Sequence, residues 1–191
     1  MSEPHNAVVL PNLAREHLTR VLNGQSGLSA DSLTALGGVL AKPGACFVTL
    51  TENGRLRGCI GTLAAHRILA EDLLSNAVAA ATQDPRFPPL GPGELSGVEI
   101  EVSILSAPEP FPHQDGDDLV RRLRPGVHGV ILIKNGRRAT FLPQVWEQLP
   151  RPEDFLGHLC RKAGLDGSCW RHGVEILVYT VEKSLENKGA V

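Results

Sequence analysis

Residues 45–63 read Ala-Cys-Phe-Val-Thr-Leu-Thr-Glu-Asn-Gly-Arg-Leu-Arg-Gly-Cys-Ile-Gly-Thr-Leu, two apolar stretches joined by Glu52-Asn53-Gly54. Asn-Gly supplies the positive φ angles that a tight hairpin turn requires, so this stretch predicts two antiparallel strands. A second hairpin is predicted over residues 127–142, with its turn at Asn135-Gly136. Hairpins of this kind, with helices between them, indicate an α+β fold with antiparallel sheets and flanking helices.

Each hairpin is followed by a predicted helix, over residues 68–83 and 153–164, and then by a strand. The closing strands read Gly97-Val98-Glu99-Ile100-Glu101-Val102 and Gly173-Val174-Glu175-Ile176-Leu177-Val178, which agree at five of six positions. The repetition predicts two pseudo-repeated hairpin-helix-strand lobes, about 44–106 and 126–182, with a cleft between them. Both lobes belong to one predicted domain over residues 1–191. Before the first lobe, Asn12 is predicted to cap a helix over residues 13–22. The last strand is predicted over residues 174–182, and a frayed tail is predicted from Lys183 onwards.

Length and charge narrow the class of protein. The 191 residues carry a formal net charge of −2, and the pI near 6.4 argues against a general nucleic-acid-binding role. No apolar run approaches the ~20 residues of a membrane span, and the first ten residues lack the pattern of a secretory signal. A cytoplasmic protein is therefore predicted, with its four cysteines, at positions 46, 59, 160 and 169, as reduced thiols.

The second arm of the first hairpin carries the best candidate site. Alternation along a strand places Arg57, Cys59 and Gly61 on one face. A guanidinium beside a thiol favours the nucleophilic thiolate. Gly58 and Gly61 predict a bulge or a close approach by a ligand or by backbone. The alternative is that Cys59 is a small apolar side chain in a packed sheet.

A nucleophilic thiol needs a general base, and the sequence offers candidates for it without showing which one lies near Cys59. His66 follows the Cys59 strand and His128 opens the second hairpin, so these are the candidate bases, although either could be structural. Glu99 and Glu101 share a strand face, a spacing that suits acid–base work or, for one of them, an ion pair with Arg57. The alternative is a solvated polar sheet face.

The sequence predicts no metal site and identifies no cofactor. His158-x-Cys160 and Cys169-x-x-His172 contain zinc-ligand residue types but no paired C-x-x-C. Phosphate-cradling glycine loops, Ser-His-Asp signatures and dinucleotide fingerprints are missing from the sequence. The Asp84-Pro85-Arg86-Phe87 segment could display Arg86 to an anion, but a rigid loop with Phe87 in the core is favoured.

The hexapeptide Leu56-Arg57-Gly58-Cys59-Ile60-Gly61 resembles the hallmark of the AMMECR-type domain family, whose bacterial and archaeal members are called AmmeMemoRadiSam system protein A. The resemblance spans about residues 13–182. Further similar segments are Asp84-Pro85-Arg86-Phe87, Ile100-Glu101-Val102-Ser103, Gly126-x-His128-Gly129, Phe141-Leu142-Pro143-Gln144-Val145, Phe155-Leu156 and Lys162-Ala163-Gly164.

This resemblance implies a two-lobed α+β protein with a cleft near the cysteine strand, and it carries Arg57, Gly58, Cys59 and Gly61 over as a candidate site. The family name implies two partners, a Memo-like relative of extradiol dioxygenases and a radical S-adenosylmethionine protein.

Three functions follow as hypotheses. The first is an enzyme or enzyme subunit in which Cys59 is the nucleophile and Arg57 binds an anionic group. In this enzyme hypothesis, His128, Glu101 or Gln144 assists the reaction. The second is a non-catalytic adaptor in which Cys59 is structural. The third, nucleic-acid processing, is disfavoured by the acidic pI.

Overall fold

The computed structural model describes residues 6–186, which form two compact units. The first unit runs to Leu105 and resumes at Glu182, and the second spans Ser106–Val181. Residues 1–5 of the N-terminal stretch and residues 187–191 of the predicted tail lie outside the described residues. No helix within 6–186 has the length and apolar character needed to cross a membrane.

Nine strands and five α-helices are present in the described residues. The strands are β1 Pro43–Glu52, β2 Arg55–Gly61, β3 Arg67–Ile68, β4 Val98–Leu105, β5 Glu109–Pro110, β6 Gly129–Lys134, β7 Arg137–Phe141, β8 Glu175–Tyr179 and β9 Val181–Leu185. The helices are α1 Asn6–Leu22, α2 Ala30–Thr34, α3 Leu69–Thr82, α4 Gly116–Arg122 and α5 Pro152–Lys162. The α+β class with two antiparallel sheets is confirmed.

The first sheet has the order β2-β1-β4-β9, and β3 also pairs with β1. Its hairpin turns where predicted, with positive φ at Asn53 (51°) and Gly54 (74°). Alternate residues of β1 and β4 are fully buried, among them Val48, Leu50 and Ile100, so one face of the sheet is dry. Helix α3 covers that face with a row of buried leucines and alanines.

The second sheet has the order β5-β8-β6-β7. Its hairpin also turns where predicted, at Asn135 (φ 51°) and Gly136 (φ 73°). The core beneath it contains the stacked rings of Trp146 and Phe155, whose centroids are 3.8 Å apart. Helix α5 supplies Phe155, and this apolar packing fixes the helix on the sheet.

Both sheets connect a hairpin, a helix and a returning strand in the same order: β4 pairs with the first strand of one hairpin, and β8 with the first strand of the other. The helices and strands that follow the hairpins lie within about two residues of their predicted positions, apart from the last strand. The internal repeat and the cleft between lobes stay predictions from the sequence.

Helix α1 is longer than predicted. The sequence suggested that Asn12 caps a helix over residues 13–22, but α1 begins at Asn6 and includes Pro11. Proline inside a helix removes one backbone hydrogen bond. Leu10, Ala14 and Leu18 are buried on one side of the helix, so packing compensates for the lost bond and extends the helix past the proline.

The predicted last strand, residues 174–182, is two strands in different sheets. The chain turns at Thr180, whose N–H donates to Ser106 Oγ and whose carbonyl accepts from the Ser106 N–H. Lys183 was predicted to begin a frayed tail. It lies instead in β9, and the following Glu186 forms an ion pair with Arg15.

The prediction of four reduced thiols is wrong for two of them. Cys160 and Cys169 form a disulfide with a Cα–Cα distance of 6.0 Å. Cys160 is near the end of α5, and the chain reverses at Gly164, which has a φ of 71°. That reversal brings Cys169 back against the helix within the same apolar core. Cys46 and Cys59 remain free thiols.

Candidate functional site

Cys59 belongs to a row of side chains that crosses three strands of the first sheet. Thr49 of β1 is the register partner of both Cys59 on β2 and Glu101 on β4. Residues directly opposite one another project from the same face of a sheet. The Thr49 hydroxyl donates to Cys59 Sγ at 3.3 Å. A thiol, a hydroxyl and a carboxylate therefore share the face opposite α3.

Glu101 at the other end of this row has charged and polar neighbours. Its Oε1 lies 3.3 Å from Lys183 Nζ of β9 and accepts from Ser103 Oγ at 3.3 Å. The Glu101 side chain is 21% exposed. The lysine is thus the cation that Glu101 binds, and the ion pair with Arg57 suggested by sequence is not formed.

Arg57 lies at a β-bulge, and the strict alternation used in the sequence prediction ends there. Leu50 pairs with Gly58 while the next residue, Thr51, pairs with Leu56, which leaves Arg57 as the extra residue. Its guanidinium donates to the Pro88 carbonyl at 3.0 Å and to Glu94 Oε1 at 3.1 Å. The hydrogen bond from the Gly91 N–H, and to a smaller extent the one from Arg57, keeps the pKa of Glu94 below its usual value.

The backbone of Cys59 is bound by the loop that follows α3. Its N–H donates to Asp84 Oδ2 at 2.9 Å, and its carbonyl accepts from Arg86 Nη2 at 3.3 Å. Hydrogen bonds from the Arg86 side chain are the largest cause of an Asp84 pKa far below the usual range. Phe87 of this loop is half-buried and not part of the core, whereas Leu90 is buried.

The two glycines of the strand approach atoms of this chain. A Cβ on Gly58 would lie 2.1 Å from the Ala80 carbonyl oxygen of α3. A Cβ on Gly61 would lie 2.3 Å from the Phe47 ring and 2.6 Å from the Cys46 carbonyl oxygen. The bulge and the close backbone approach expected from these glycines are both present. A role for them in ligand binding stays a prediction.

His128, in the second unit, is buried among structural partners. Arg124 places its backbone N–H 3.2 Å from Nδ1 and its Nε 3.2 Å from Nε2. A neutral imidazole carries one N–H, so only one of these contacts can be a hydrogen bond. Burial, and then the charge of Arg124, lowers the pKa of His128. The Phe111 ring packs edge-on against it at 5.6 Å.

The remaining candidates are exposed. Gln144 lies on the short 3₁₀ helix Pro143–Glu147 of the second unit, and His66 lies between β2 and β3 of the first. Arg57, Cys59 and Glu101 belong to the first unit, and His128 and Gln144 to the second. That all five serve one site stays a prediction.

Sequence reasoning missed Thr49 and the contribution of Asp84. Thr49 stands in an ordinary alternating strand, and only the strand register reveals its contact with Cys59. The Asp84-Pro85-Arg86 segment was a better signal, because an aspartate, a rigid residue and an arginine in succession can form a local ion pair. That pairing does occur, at 2.6 Å.

Fold and site together define an α+β protein with a half-buried cysteine on the polar face of an antiparallel sheet. The chain belongs to the AMMECR1 family, whose model matches residues 11–184.

Relatives and a solved structure agree with this assignment. A protein of Methanosarcina acetivorans is 37% identical over 187 residues, covering 96% of this chain and 94% of that protein. A protein of Thermotoga maritima is 45% identical over 139 residues, covering 72% of this chain and 75% of its own length. The crystal structure of uncharacterized protein PH0010 from Pyrococcus horikoshii superposes with a TM-score of 0.79 at 29% identity, covering 97% of this chain and 93% of that one.

Proposed function

We propose that this chain is a thiol-dependent enzyme, or a subunit of one, in which Cys59 is the nucleophile. The observation that carries the proposal is the 3.3 Å contact from the Thr49 hydroxyl to Cys59 Sγ on a polar sheet face. A hydroxyl that donates to sulfur stabilises the thiolate, the nucleophilic form of cysteine. The other free thiol, Cys46, is fully buried, and burial raises its pKa.

Glu101 supplies the second reactive group in this proposal. It lies two strands from Cys59 in the same row, about 10 Å away at the usual strand spacing. A substrate bound across the row would contact the thiol at one end and the carboxylate at the other. Lys183 fixes the carboxylate, which can then exchange a proton with that substrate. His128 and Gln144 stay candidates from the sequence alone.

The resemblance to AmmeMemoRadiSam system protein A extends the proposal to partners. In this extension of the proposal, the enzyme acts together with a Memo-like protein and a radical S-adenosylmethionine protein in the cytoplasm. Co-purification of tagged full-length chain with each candidate partner tests this part separately from the chemistry of Cys59.

Alkylation with iodoacetamide without reductant tests the nucleophile. In the native protein we expect rapid labelling at Cys59 alone, read by peptide mass spectrometry. Cys46 should be labelled only after unfolding, because it has no solvent-exposed surface. Cys59→Ser should abolish the rapid reaction, and Cys46→Ser should leave its rate unchanged. Labelling of Cys59 no faster than that of Cys46 in native protein contradicts the proposal.

A non-catalytic adaptor is the second candidate. Two observations favour it: atoms of the chain itself fill the space beside Gly58 and Gly61, and Leu56 is 42% exposed. Leu56 and Arg57 help line a cavity of about 450 Å³ at the tip of the first hairpin. An adaptor should still capture its partner after Cys59→Ser but lose capture after Leu56→Ala. In an enzyme, turnover should be lost after Cys59→Ser and retained after Leu56→Ala.

A further inference from the structure

We propose that Asp84 and Arg86 form a positioning pair that fixes the Cys59 backbone and balances the charge beside its thiol. This pair is here called the β2 clamp. The chemical part of the inference rests on the proposed function of Cys59, whereas the structural part stands on hydrogen bonds alone. Arg57, the cation that sequence alone places beside the thiol, has no such contact because it binds Glu94 and Pro88.

The clamp provides hydrogen-bond partners for backbone groups at an exposed edge of the first sheet. Strand β2 is the last strand on its side of the first sheet. An edge strand presents unpaired N–H and C=O groups that attract other chains. At Cys59 both outward groups are occupied, the N–H by the Asp84 carboxylate and the C=O by the Arg86 guanidinium. Two side chains thus replace the hydrogen bonds of a missing neighbouring strand.

The geometry of the clamp is fixed by its own hydrogen bonds. Asp84 Oδ1 accepts from the backbone N–H of Arg86 at 3.1 Å and from its Nε at 2.9 Å. Asp84 Oδ2 accepts from Arg86 Nη2 at 2.6 Å and from the Cys59 N–H at 2.9 Å. The Asp84 side chain is only 2% exposed, and Pro85 between the partners restricts the loop.

The charges of the clamp oppose each other next to the thiol. The groups that face Cys59 are the neutral Thr49 from β1, Glu101 from β4, with Lys183 of β9 bound to it, and the clamp from the loop after α3. Hydrogen bonds to Asp84, and then the charges of Asp84 and of Cys59, raise the pKa of Arg86 against the opposing effect of burial. Removal of either clamp charge leaves the other unbalanced at the Cys59 backbone, on the residue that carries the thiol.

Because the two clamp charges have opposite signs, their removal should shift the pH profile of Cys59 alkylation in opposite directions. Asp84→Asn leaves the Arg86 cation unbalanced and favours the thiolate, so the profile of Cys59 alkylation rate against pH should move to lower pH. Arg86→Gln leaves the carboxylate unbalanced, so the profile should move to higher pH. Because the Arg86 side chain is 54% exposed, solvent screens its charge, and we expect shifts on the order of one pH unit or less, up to roughly tenfold in rate at fixed pH.

The control variants separate charge from structure. Arg86→Lys keeps the charge and should keep the profile near that of the wild type. The double variant Asp84→Asn/Arg86→Gln should also return towards the wild-type profile. Arg55→Gln removes an exposed charge from the same strand and should have no effect. A purely structural clamp would move both single variants in the same direction, and that outcome overturns the charge-balancing role.

Amide hydrogen exchange tests the backbone part without any thiol chemistry. Asp84→Asn should increase the exchange rate of the Cys59 N–H relative to that of the Gly58 N–H. Unchanged exchange overturns the clamp even where Cys59 reacts as proposed. Conversely, a wild-type Cys59 that resists alkylation contradicts the proposed function, while faster exchange in Asp84→Asn still supports the clamp. The two failures are therefore distinguishable in folded, full-length protein.

Discussion

Gly58 lies against the carbonyl oxygen of Ala80 so closely that a Cβ at position 58 would be 2.1 Å from that oxygen. The contact joins β2 to the last turns of α3, and both elements supply backbone atoms that cannot move aside as a flexible side chain would. The glycine is therefore required for packing of the helix on the sheet. It also places the bulge residue, Arg57, and Cys59 on either side of this contact.

Gly58→Ala should destabilise the protein, because the added methyl group must separate β2 from α3. Overpacking of a close-packed core costs about 1–3 kcal/mol. Urea unfolding followed by circular dichroism measures the loss. Gly93→Ala is the matched control, since nothing lies within 4 Å of a Cβ at that position. Equal stability of the two variants would show that α3 does not approach β2 as described.

Reduction of the Cys160–Cys169 disulfide should lower the stability of the second unit. The bridge closes a loop with a sequence separation of 9. Loop-closure entropy for such a length corresponds to about 2–3 kcal/mol. Thermal unfolding with and without reductant, followed by Trp146 and Trp170 fluorescence, measures the effect. The variant Cys160→Ala/Cys169→Ala should match the reduced protein and no longer respond to reductant, whereas Cys46→Ala should respond like the wild type.

Acidification from pH 7.5 to 5 should destabilise the fold through two buried histidines. Burial lowers the pKa of His17, whose Nδ1 accepts from the Leu28 N–H at 2.9 Å, and it lowers the pKa of His128. The unfolded chain binds protons near pH 6.5, before the folded protein does. The stability that neutral His17 and His128 contribute is fully present above that pH. It is lost as the pH falls through the pKa values of these histidines in the folded protein.

Unfolding free energies measured across this range test that sign. His17→Gln should flatten the decline, because the group that gains a proton on unfolding is gone. His66→Gln, a change at an exposed position, should leave the slope as in the wild type. A slope that is identical in all three proteins would mean that other groups cause the acid dependence.

The sequence predicted elements whose signals are local. The two Asn-Gly turns have positive φ as expected, since few residue pairs adopt that geometry without strain. Helix α3 begins and ends within a residue of the prediction because acidic residues open it and Asp84-Pro85 follows it. Helix α1 was less predictable, because burial of Leu10 on the core overrides the proline next to it.

The candidate site was predictable as a strand but not as a set of contacts. Cys59 and Glu101 were chosen from chemistry and strand alternation, and the register places them in one row. The bulge at Arg57 depends on how β2 pairs with β1, so alternation counted along one strand cannot be continued through that residue. The disulfide and the β2 clamp depend on where the chain returns in space, which spacing along the sequence does not encode.

Asp72 should be the most sensitive polar position of the first unit. Its carboxylate is 1% exposed and accepts from the Cys46 N–H at 2.8 Å, from the Thr62 hydroxyl at 2.5 Å and from Asn76 Nδ2 at 3.0 Å. Arg67 Nε donates to the other oxygen at 2.9 Å. The residue thus joins the start of α3 to β1 and to the segment that follows β2.

Asp72→Ala should cost about 3–5 kcal/mol, because it removes one partner of a largely buried ion pair and leaves several donors without an acceptor. Asp72→Asn should cost less, since its amide oxygen can still accept some of these hydrogen bonds. Glu71→Ala, at the exposed neighbouring position of the same helical turn, should change stability by under about 1 kcal/mol. Chemical denaturation of the three variants decides the order. A cost for Asp72→Ala no larger than that for Glu71→Ala would show that water satisfies these donors instead.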